Sequence, residues 1–154
     1  MGLEIERKFL VVNDAWRVNA VGIRYRQGYL STVPERTVRV RTVGNQGFLT
    51  IKGITQGAAR REYEYEIPLG DANEMLDGLC ERPLIEKVRY KIPYGGLLWE
   101  LDEFEGDNAG LLMAEVELTS ADQAVELPAW AGREVTGEAQ YYNANLIANP
   151  FSRW

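Results

Sequence analysis

Charged and apolar side chains alternate along several stretches of the chain, and the first such stretch starts at residue 4. In residues 4–10 (EIERKFL) the charged positions 4, 6 and 8 alternate with the apolar positions 5 and 9, and Arg7 is the one exception. Successive side chains of a strand point to opposite faces, so this pattern predicts a strand with a charged and a mostly apolar face. The same alternation predicts strands at 37–41, 48–53, 60–67, 87–92, 99–102 and 111–119.

The stretch at 23–31 (IRYRQGYLS) also predicts a strand, but its register is open. A glycine inside a strand often marks a bulge, and Gly28 stands in the middle of this one. The sequence therefore does not decide which polar side chains share a face among Arg24, Arg26, Gln27 and Tyr29. Further along, residues 44–47 (GNQG) predict the turn of a hairpin.

Three segments have helical signals. The first helix is expected to start at Asp71, with Glu74 completing a capping box, and to end before Pro83. A short helix is expected from Ser120, capped with Gln123 and ended by Pro128. A last helix is expected at 138–148, stopped by the following proline.

The overall composition is that of one globular domain spanning residues 1–154. A chain of this length buries roughly 70% of the surface that it exposes when unfolded, which allows a real core. The net charge of −6 argues against a broad basic surface for nucleic acid. No run approaches the ~18 apolar residues of a membrane span, and the N-terminus does not read as a signal peptide. We therefore expect a cytoplasmic protein with no nucleic-acid or membrane partner.

The chain lacks histidine and has a single cysteine, Cys80. The commonest acid–base catalyst and metal ligand is therefore missing, and zinc is disfavoured. Any catalysis must use carboxylates, Lys, Arg, Tyr or a hard metal ion.

Two arrangements of the charged strand faces are possible from the pattern. In the first, the faces are the solvated outside of a sheet sandwich. In the second, about eight antiparallel strands close into a barrel whose lumen holds the charges, and helices cover its apolar outside. The charged set comprises Glu4, Glu6, Lys8, Arg39, Arg41, Lys52, Arg60, Glu62, Glu64, Lys87, Arg89, Glu100, Asp102, Glu115 and Glu117.

The second arrangement is favoured, which predicts an α+β fold with a closed eight-stranded tunnel and a few covering helices. The positions in question are almost all ionisable, whereas a solvated face normally also contains Ser, Thr, Gln and Asn. The opposite faces are rich in Trp, Tyr, Leu, Val and Ile and need a cover. The interior of an eight-stranded barrel is just wide enough for side chains or one small ligand.

So many buried charges are a poor way to stabilise a fold, because desolvating each ion costs several kcal/mol. The cost indicates a ligand. The Arg and Lys side chains suit an anion with several phosphates. The carboxylates suit Mg²⁺ or Mn²⁺, which prefer oxygen ligands and bridge to phosphates.

A series of motifs resembles the CYTH domain, or triphosphate tunnel metalloenzyme, family. Residues 4–8 (EIERK) are similar to its ExExK signature, and the resemblance covers nearly the whole chain in order. It continues through the segments 27–30 (QGYL), 39–41 (RVR), 49–52 (LTIK), 60–64 (RREYE), 86–89 (EKVR), 100–102 (ELD), 115–117 (EVE) and 142–146 (YNANL). The resemblance implies an eight-stranded tunnel, a triphosphate substrate and a divalent metal.

The resemblance also implies roles for individual residues. Metal ligands are expected at Glu4, Glu6, Asp102, Glu115 and Glu117. Phosphate-binding cations are expected at Lys8, Arg39, Arg41, Lys52, Arg60, Lys87 and Arg89. Catalytic residues are expected to be Lys8, Lys52, Glu62, Glu64 and Tyr29, with the choice of general base open between Glu62 and Glu64. Tyr29, Tyr142 and Asn143 are expected near one tunnel mouth. The chain departs from the family at Ala139 and Gln140, where members often carry basic residues.

The short chain is most similar to the inorganic triphosphatases, which implies hydrolysis of tripolyphosphate to pyrophosphate and phosphate. Adenylate cyclase, or another nucleotide or thiamine triphosphatase, is the alternative within the family. A module that binds polyphosphate or nucleotide without cleaving it is the alternative outside enzymes. The outward aromatic residues are compatible with a homodimer.

Overall fold

The computed structural model describes residues 2–154, and within this range the chain forms nine β-strands, all paired antiparallel. The strands are β1 (Leu3–Val11), β2 (Gly22–Ser31), β3 (Arg36–Val43), β4 (Gln46–Gly53), β5 (Ala59–Ile67), β6 (Ile85–Tyr94), β7 (Leu97–Phe104), β8 (Leu112–Glu117) and β9 (Ala131–Glu134). One α-helix, α1 (Leu69–Gly78), and five short 3₁₀ segments complete the described range.

Eight of the strands close into a barrel, as the alternation predicted. Their order is β5-β4-β3-β2-β6-β7-β8-β1, and a further pairing between β5 and β1 completes the ring. One edge of β1 pairs with β8, while its other edge is shared between β5 near Glu4 and β9 near Phe9. The β1 strand is therefore held by three partners.

The exception in the β1 pattern has a simple explanation. The lumen-facing positions are Glu4, Glu6 and Lys8, and Arg7 points to the opposite face. There its guanidinium forms an ion pair at 2.7 Å with Glu134 of β9. The cation on the outer face is thus satisfied by the ninth strand, which the sequence analysis did not predict.

The register of β2, which the sequence left open, follows its neighbours without interruption at Gly28. The irregularity lies between Tyr29 and Ser31 in the pairing with β3. A Cβ at Gly28 would lie 2.8 Å from Cβ of Cys80, so the glycine permits close packing rather than a bulge. As a result, Gln27 is fully buried while Arg24 stays exposed.

The helix α1 covers the outside of β3 and β4. Its buried residues Ala72 and Leu76 pack with Val40 in an apolar cluster, and burying a leucine stabilises by roughly 2–3 kcal/mol. The predicted start at Asp71 with a capping box is wrong. The helix begins at Leu69 because Pro68 ends the preceding strand, and no side chain caps its N-terminus.

The other two predicted helices are wrong. After Ser120 the chain makes turns and then continues without regular secondary structure to Pro128. Here Gln123 accepts hydrogen bonds from the backbone N–H and hydroxyl of Thr119, so the cap-like pair forms without a helix. This segment still covers the outer face of β7, β8 and β1, where Trp130 packs edge-on against Trp99.

The C-terminal segment forms three 3₁₀ turns in place of one helix, at Ala139–Tyr141, Asn143–Leu146 and Phe151–Arg153. It lies across one end of the barrel. Tyr141 and Leu146 from this segment join an apolar cluster with Tyr29, Ile85 and Phe104. This cluster fills that end of the tunnel. Within residues 2–154, no helix is both long and apolar enough to cross a membrane.

Candidate active site

The barrel encloses a cavity of about 400 Å³, which is in the range of ordinary small-ligand pockets. All the charged residues assigned to the lumen from the sequence line this cavity except Asp102. The loops that follow β2 and β4 and the C-terminal segment also contribute to its lining. The structure thus brings together side chains from positions 4 to 145.

Carboxylates dominate one side of the cavity, which we call the acidic wall and define as Glu4, Glu6, Glu100, Glu115 and Glu117. Glu6 lies directly opposite Glu117 across β1 and β8, and Glu100 lies opposite Glu115 across β7 and β8. Like charges in such positions destabilise a sheet. Burial raises the pKa of Glu6 well above its usual value, and Glu115 and Glu4 raise it further.

The same crowding affects the outer part of this wall. Burial, Glu4 and Glu100 together raise the pKa of Glu117. In the described residues neither Glu6 nor Glu117 forms an ion pair with Lys or Arg. A bound cation would relieve this repulsion, and an all-oxygen donor set suits a hard divalent ion. Within residues 2–154, no three acidic side chains lie close enough together to form a metal-ligand cluster without moving.

Asp102 was expected among the metal ligands, but its carboxylate lies beneath the cavity lining and is 2% exposed. One oxygen accepts from Arg89 Nε at 2.8 Å, and the other accepts from Lys87 Nζ at 2.8 Å. Burial acts to raise the pKa of Asp102, but Arg89 and Lys87 outweigh it and lower the pKa. In this arrangement Asp102 anchors two cations, whereas Glu100 lines the cavity.

Cations dominate the opposite side, which we call the basic wall and define as Arg39, Arg41, Lys87 and Arg89. The Nε atoms of Arg39 and Arg41 are buried and have no acceptor among the described residues. Burial and the neighbouring Arg39 lower the pKa of Arg41 to about 10. Burial likewise lowers the pKa of Lys87 to about 7, against the opposing effect of Asp102. This wall therefore has an excess of positive charge that an anion would satisfy.

Strands β4 and β5 join the two walls with groups of both signs. Glu64 accepts a 2.6 Å hydrogen bond from Thr50 and lies 3.3 Å from an Arg41 nitrogen. Burial acts to raise the pKa of Glu64, but Thr50, Arg41 and Arg39 outweigh it and lower the pKa. Lys52 bridges Glu4 at 3.0 Å and Glu62 at 3.2 Å.

Glu62 differs from Glu64 in its environment. Burial raises the pKa of Glu62, and Glu4 adds to the rise while Lys52 opposes it. Glu62 is therefore the carboxylate of the two that accepts a proton more readily.

The remaining predicted residues lie where the C-terminal segment meets the barrel. Lys8 Nζ donates to the backbone oxygen of Tyr141 at 3.2 Å, and the Tyr142 ring centroid is 5.8 Å from both Lys8 Nζ and Arg60 Cζ. Arg60 also donates to Thr37 at 3.3 Å. Tyr29 is 5% exposed and belongs to the apolar cluster while still lining the cavity.

Sequence reasoning missed three polar groups at the site. The strand period places Thr50 on the same face as Lys52, but the sequence assigned it no role. Gln27 could not be assigned to the lumen, because the sequence left the register of β2 open. Asn143 was placed near a tunnel mouth but given no partner, and its side-chain oxygen accepts from Lys87 Nζ and Gln27 Nε2, each at 3.0 Å.

The departure from the family pattern has a visible structural counterpart. Ala139 lines the cavity and Gln140 is exposed, so the C-terminal segment contributes no cation at these positions. It contributes acceptors instead, through the backbone oxygen of Tyr141 and the side-chain oxygen of Asn143.

Comparisons with known proteins agree with this geometry. The CYTH domain matches residues 2–150. The chain is 51% identical over 154 residues to an inorganic triphosphatase of Acetivibrio thermocellus, covering 100% of this chain and 99% of the relative. It is 42% identical over 149 residues to an inorganic triphosphatase of Nitrosomonas europaea, covering 93% and 95%. The crystal structure of the inorganic triphosphatase NE1496 superposes with a TM-score of 0.65 at 38% identity, covering 93% of this chain and 96% of the other.

Proposed function

The chain belongs to the CYTH domain family, and from that premise we propose that it is a metal-dependent inorganic triphosphatase. It hydrolyses tripolyphosphate to pyrophosphate and phosphate within the tunnel. Two relatives that match nearly the whole chain carry this name, and so does a solved structure of the same fold. The family implies a small triphosphate substrate and a divalent metal.

The observation that carries the proposal is the pairing of a cation excess with a carboxylate excess across one cavity. The unpartnered Nε groups of Arg39 and Arg41 support phosphate binding, because guanidinium forks match phosphate oxygens. Lys8, Lys52, Arg60, Lys87 and Arg89 line the same cavity and extend this cradle over several phosphates. Phosphoryl transfer needs such positioning and charge neutralisation more than covalent help.

The acidic wall is the proposed metal site, with Glu4, Glu6, Glu115 and Glu117 as ligands and Mg²⁺ or Mn²⁺ as the ion. The raised pKa values of Glu6 and Glu117 support this assignment, because burial is their main cause and neighbouring carboxylates add to it, and a bound cation would offset both. A bound divalent ion neutralises phosphate oxygens and lowers the pKa of a water bound to it. We propose that Asp102 supports the site and is not itself a metal ligand, because both of its oxygens accept hydrogen bonds from Lys87 and Arg89.

We propose Glu62 as the general base. It accepts a proton from the water that attacks the terminal phosphorus, and the bond to the bridging oxygen breaks to release pyrophosphate. Glu64 is the weaker candidate, because Thr50 and Arg41 donate to its Oε1 and help to lower the pKa of its carboxyl group. Glu64 instead holds the Arg41 guanidinium in place.

Several finer properties belong to the proposal. The enzyme is expected in the cytoplasm, acting without nucleic-acid or membrane partners. A homodimer is one assembly compatible with the outward apolar side chains, such as Tyr65, which is 56% exposed.

Phosphate release from tripolyphosphate tests the proposal. The enzyme is stripped of metal and assayed with Mg²⁺, with Mn²⁺ and with neither. We expect release only with added metal. ATP serves as the comparison substrate, with product analysis for cyclic nucleotide. No release from tripolyphosphate with either metal would reject the triphosphatase, and a cyclic product would support the cyclase alternative. If tripolyphosphate raises the thermal midpoint but no phosphate is released, the result would support a binding module that does not cleave its ligand.

A further inference from the structure

The C-terminal segment reaches into the cavity with a single side-chain oxygen that holds a cation of the basic wall. Asn143 Oδ1 accepts from Lys87 Nζ at 3.0 Å. Lys87 is 1% exposed and also donates to Asp102 at 2.8 Å. An ammonium group has three N–H donors, so these two bonds leave one for a phosphate oxygen.

The orientation of the Asn143 amide is set by its neighbours. As an ammonium, the form that its ion pair with Asp102 favours, Lys87 can only donate, so the atom of Asn143 that faces it is assigned as the amide oxygen. Gln27 Nε2 donates to the same oxygen at 3.0 Å, and Gln27 is fully buried. This arrangement leaves Gln27 Oε1 buried with no donor among the described residues. Buried polar groups are rarely left unpaired, so the orientation is maintained at a cost to stability.

Asn143 is also fixed from both sides along the chain. Tyr141 and Leu146 are buried in the apolar cluster at the end of the tunnel, so the short stretch between them has little freedom. The same stretch places the Tyr141 backbone oxygen on Lys8. The segment therefore contacts two lysines of the phosphate cradle, in each case through an acceptor.

We propose that Asn143 is a positioning residue that holds Lys87 for phosphate binding, and that Gln27 locks its amide. This inference rests on the proposed triphosphatase function. Asn143 acts through Lys87. Removing the Asn143 side chain leaves every cation of the phosphate cradle in place, but Lys87 is then held less firmly.

Two substitutions separate this role from a structural one. Asn143→Ala removes the acceptor, and we expect KM for tripolyphosphate to rise about tenfold, the effect of losing one hydrogen bond to a charged group. Asn143→Asp keeps the shape and satisfies both donors, so its thermal midpoint should match or exceed that of the parent. Its carboxylate competes with phosphate for Lys87, so KM should rise more than in the alanine variant. Asn149→Ala is the matched control, since Asn149 is an exposed asparagine of the same segment.

A second readout does not depend on turnover. The chain has four lysines, so the Lys87 side-chain ¹⁵N resonance can be identified in lysine-labelled enzyme by its loss in Lys87→Arg. We expect this resonance to move, and its protons to exchange faster with solvent, in Asn143→Ala but not in Asn149→Ala.

The two readouts distinguish failure of this inference from failure of the proposed function. An unchanged KM in Asn143→Ala, or an Asn143→Asp variant equal to the parent in KM, would overturn the positioning role. If the parent itself does not hydrolyse tripolyphosphate, the proposed function fails and the resonance decides. A resonance unmoved by Asn143→Ala would then reject the contact with Lys87, and a moved one would support it.

Discussion

The acidic and basic walls of the tunnel face each other, but they hold their charge in different ways. On the basic wall, Lys87 and Arg89 are tied from behind by Asp102, and Arg41 is tied by Glu64. On the acidic wall, Glu6 and Glu117 lie opposite each other. Among residues 2–154, no Lys or Arg lies within ion-pair distance of either one. These three cations are therefore fixed in advance, whereas Glu6 and Glu117 are left facing other carboxylates, although Glu4, Glu100 and Glu115 of the same wall pair with Lys52 or Arg89.

This difference indicates two kinds of ligand. Preorganised donors stabilise developing charge without reorganising during the reaction, which suits the substrate phosphates. Carboxylates in mutual repulsion gain most from a cation that arrives from solution. The contrast between the walls yields four predictions, ordered from the largest expected effect to the smallest.

Removing the metal should abolish the contribution of the acidic wall to catalysis and leave the basic wall intact. We expect chelation with EDTA to lower the rate of phosphate release by at least about a thousandfold, because charge neutralisation at the phosphates is lost. Adding back Mg²⁺ or Mn²⁺ should restore the rate. Full activity after exhaustive chelation would contradict a metal role for this wall.

Arg41→Ala should weaken the basic wall. We expect kcat/KM for tripolyphosphate to fall about 10²–10³-fold, the usual cost of losing one preorganised donor. Arg41→Lys is the matched control, since it keeps the charge but lacks the fork, and it should recover only part of the loss. Equal activity of the lysine variant and the parent would show that charge alone is sufficient.

Glu6→Gln should change the metal requirement. We expect the metal concentration needed for half-maximal activity to rise about 10–100-fold, a typical cost of disturbing a metal site. In the parent this concentration should fall as pH rises, because the raised pKa of Glu6 means that a proton competes with metal. The variant should lose part of this pH dependence. Metal titrations at several pH values provide the measurement.

Glu117→Gln should stabilise the metal-free protein slightly. The folded-state pKa of Glu117 is raised, so the stability that its protonated form contributes is present at low pH and is lost as pH rises through that pKa. We expect the glutamine variant to unfold about 2 °C higher near pH 8. The difference should vanish near pH 4. A variant less stable than the parent near pH 8 would mean that the repulsion is already relieved.

The strands and the identity of the lumen could be predicted because a period of two is a local property of the sequence. How deeply each side chain is buried within the barrel could not be predicted in this way. Glu100 and Asp102 lie on the same face of β7, and only the partners from β6 make Asp102 an anchor. Gln27 was likewise out of reach, because the sequence does not show whether Gly28 marks a bulge or a close approach to Cys80.

The helices were predicted less well, because their signals consist of few residues. Gln123 bonds to Thr119 in a tight local arrangement that satisfies the same groups without a helical turn. In the C-terminal segment, burial of Tyr141 and Leu146 at the tunnel end outweighs helical propensity. Local hydrogen bonding accounts for the first outcome and tertiary packing for the second.

Strand β1 closes the ring, and this has a consequence for how the protein folds. Its partners across the closure are distant in sequence, since Leu3 pairs with Arg61 and Glu6 pairs with Glu117. During synthesis, β1 must therefore wait until β8 has been made before the ring can close. Such long-range pairing is slow to form. We therefore expect Glu4 and Glu6 to stay hydrated until the ring closes, so that the cost of dehydrating them falls on that step.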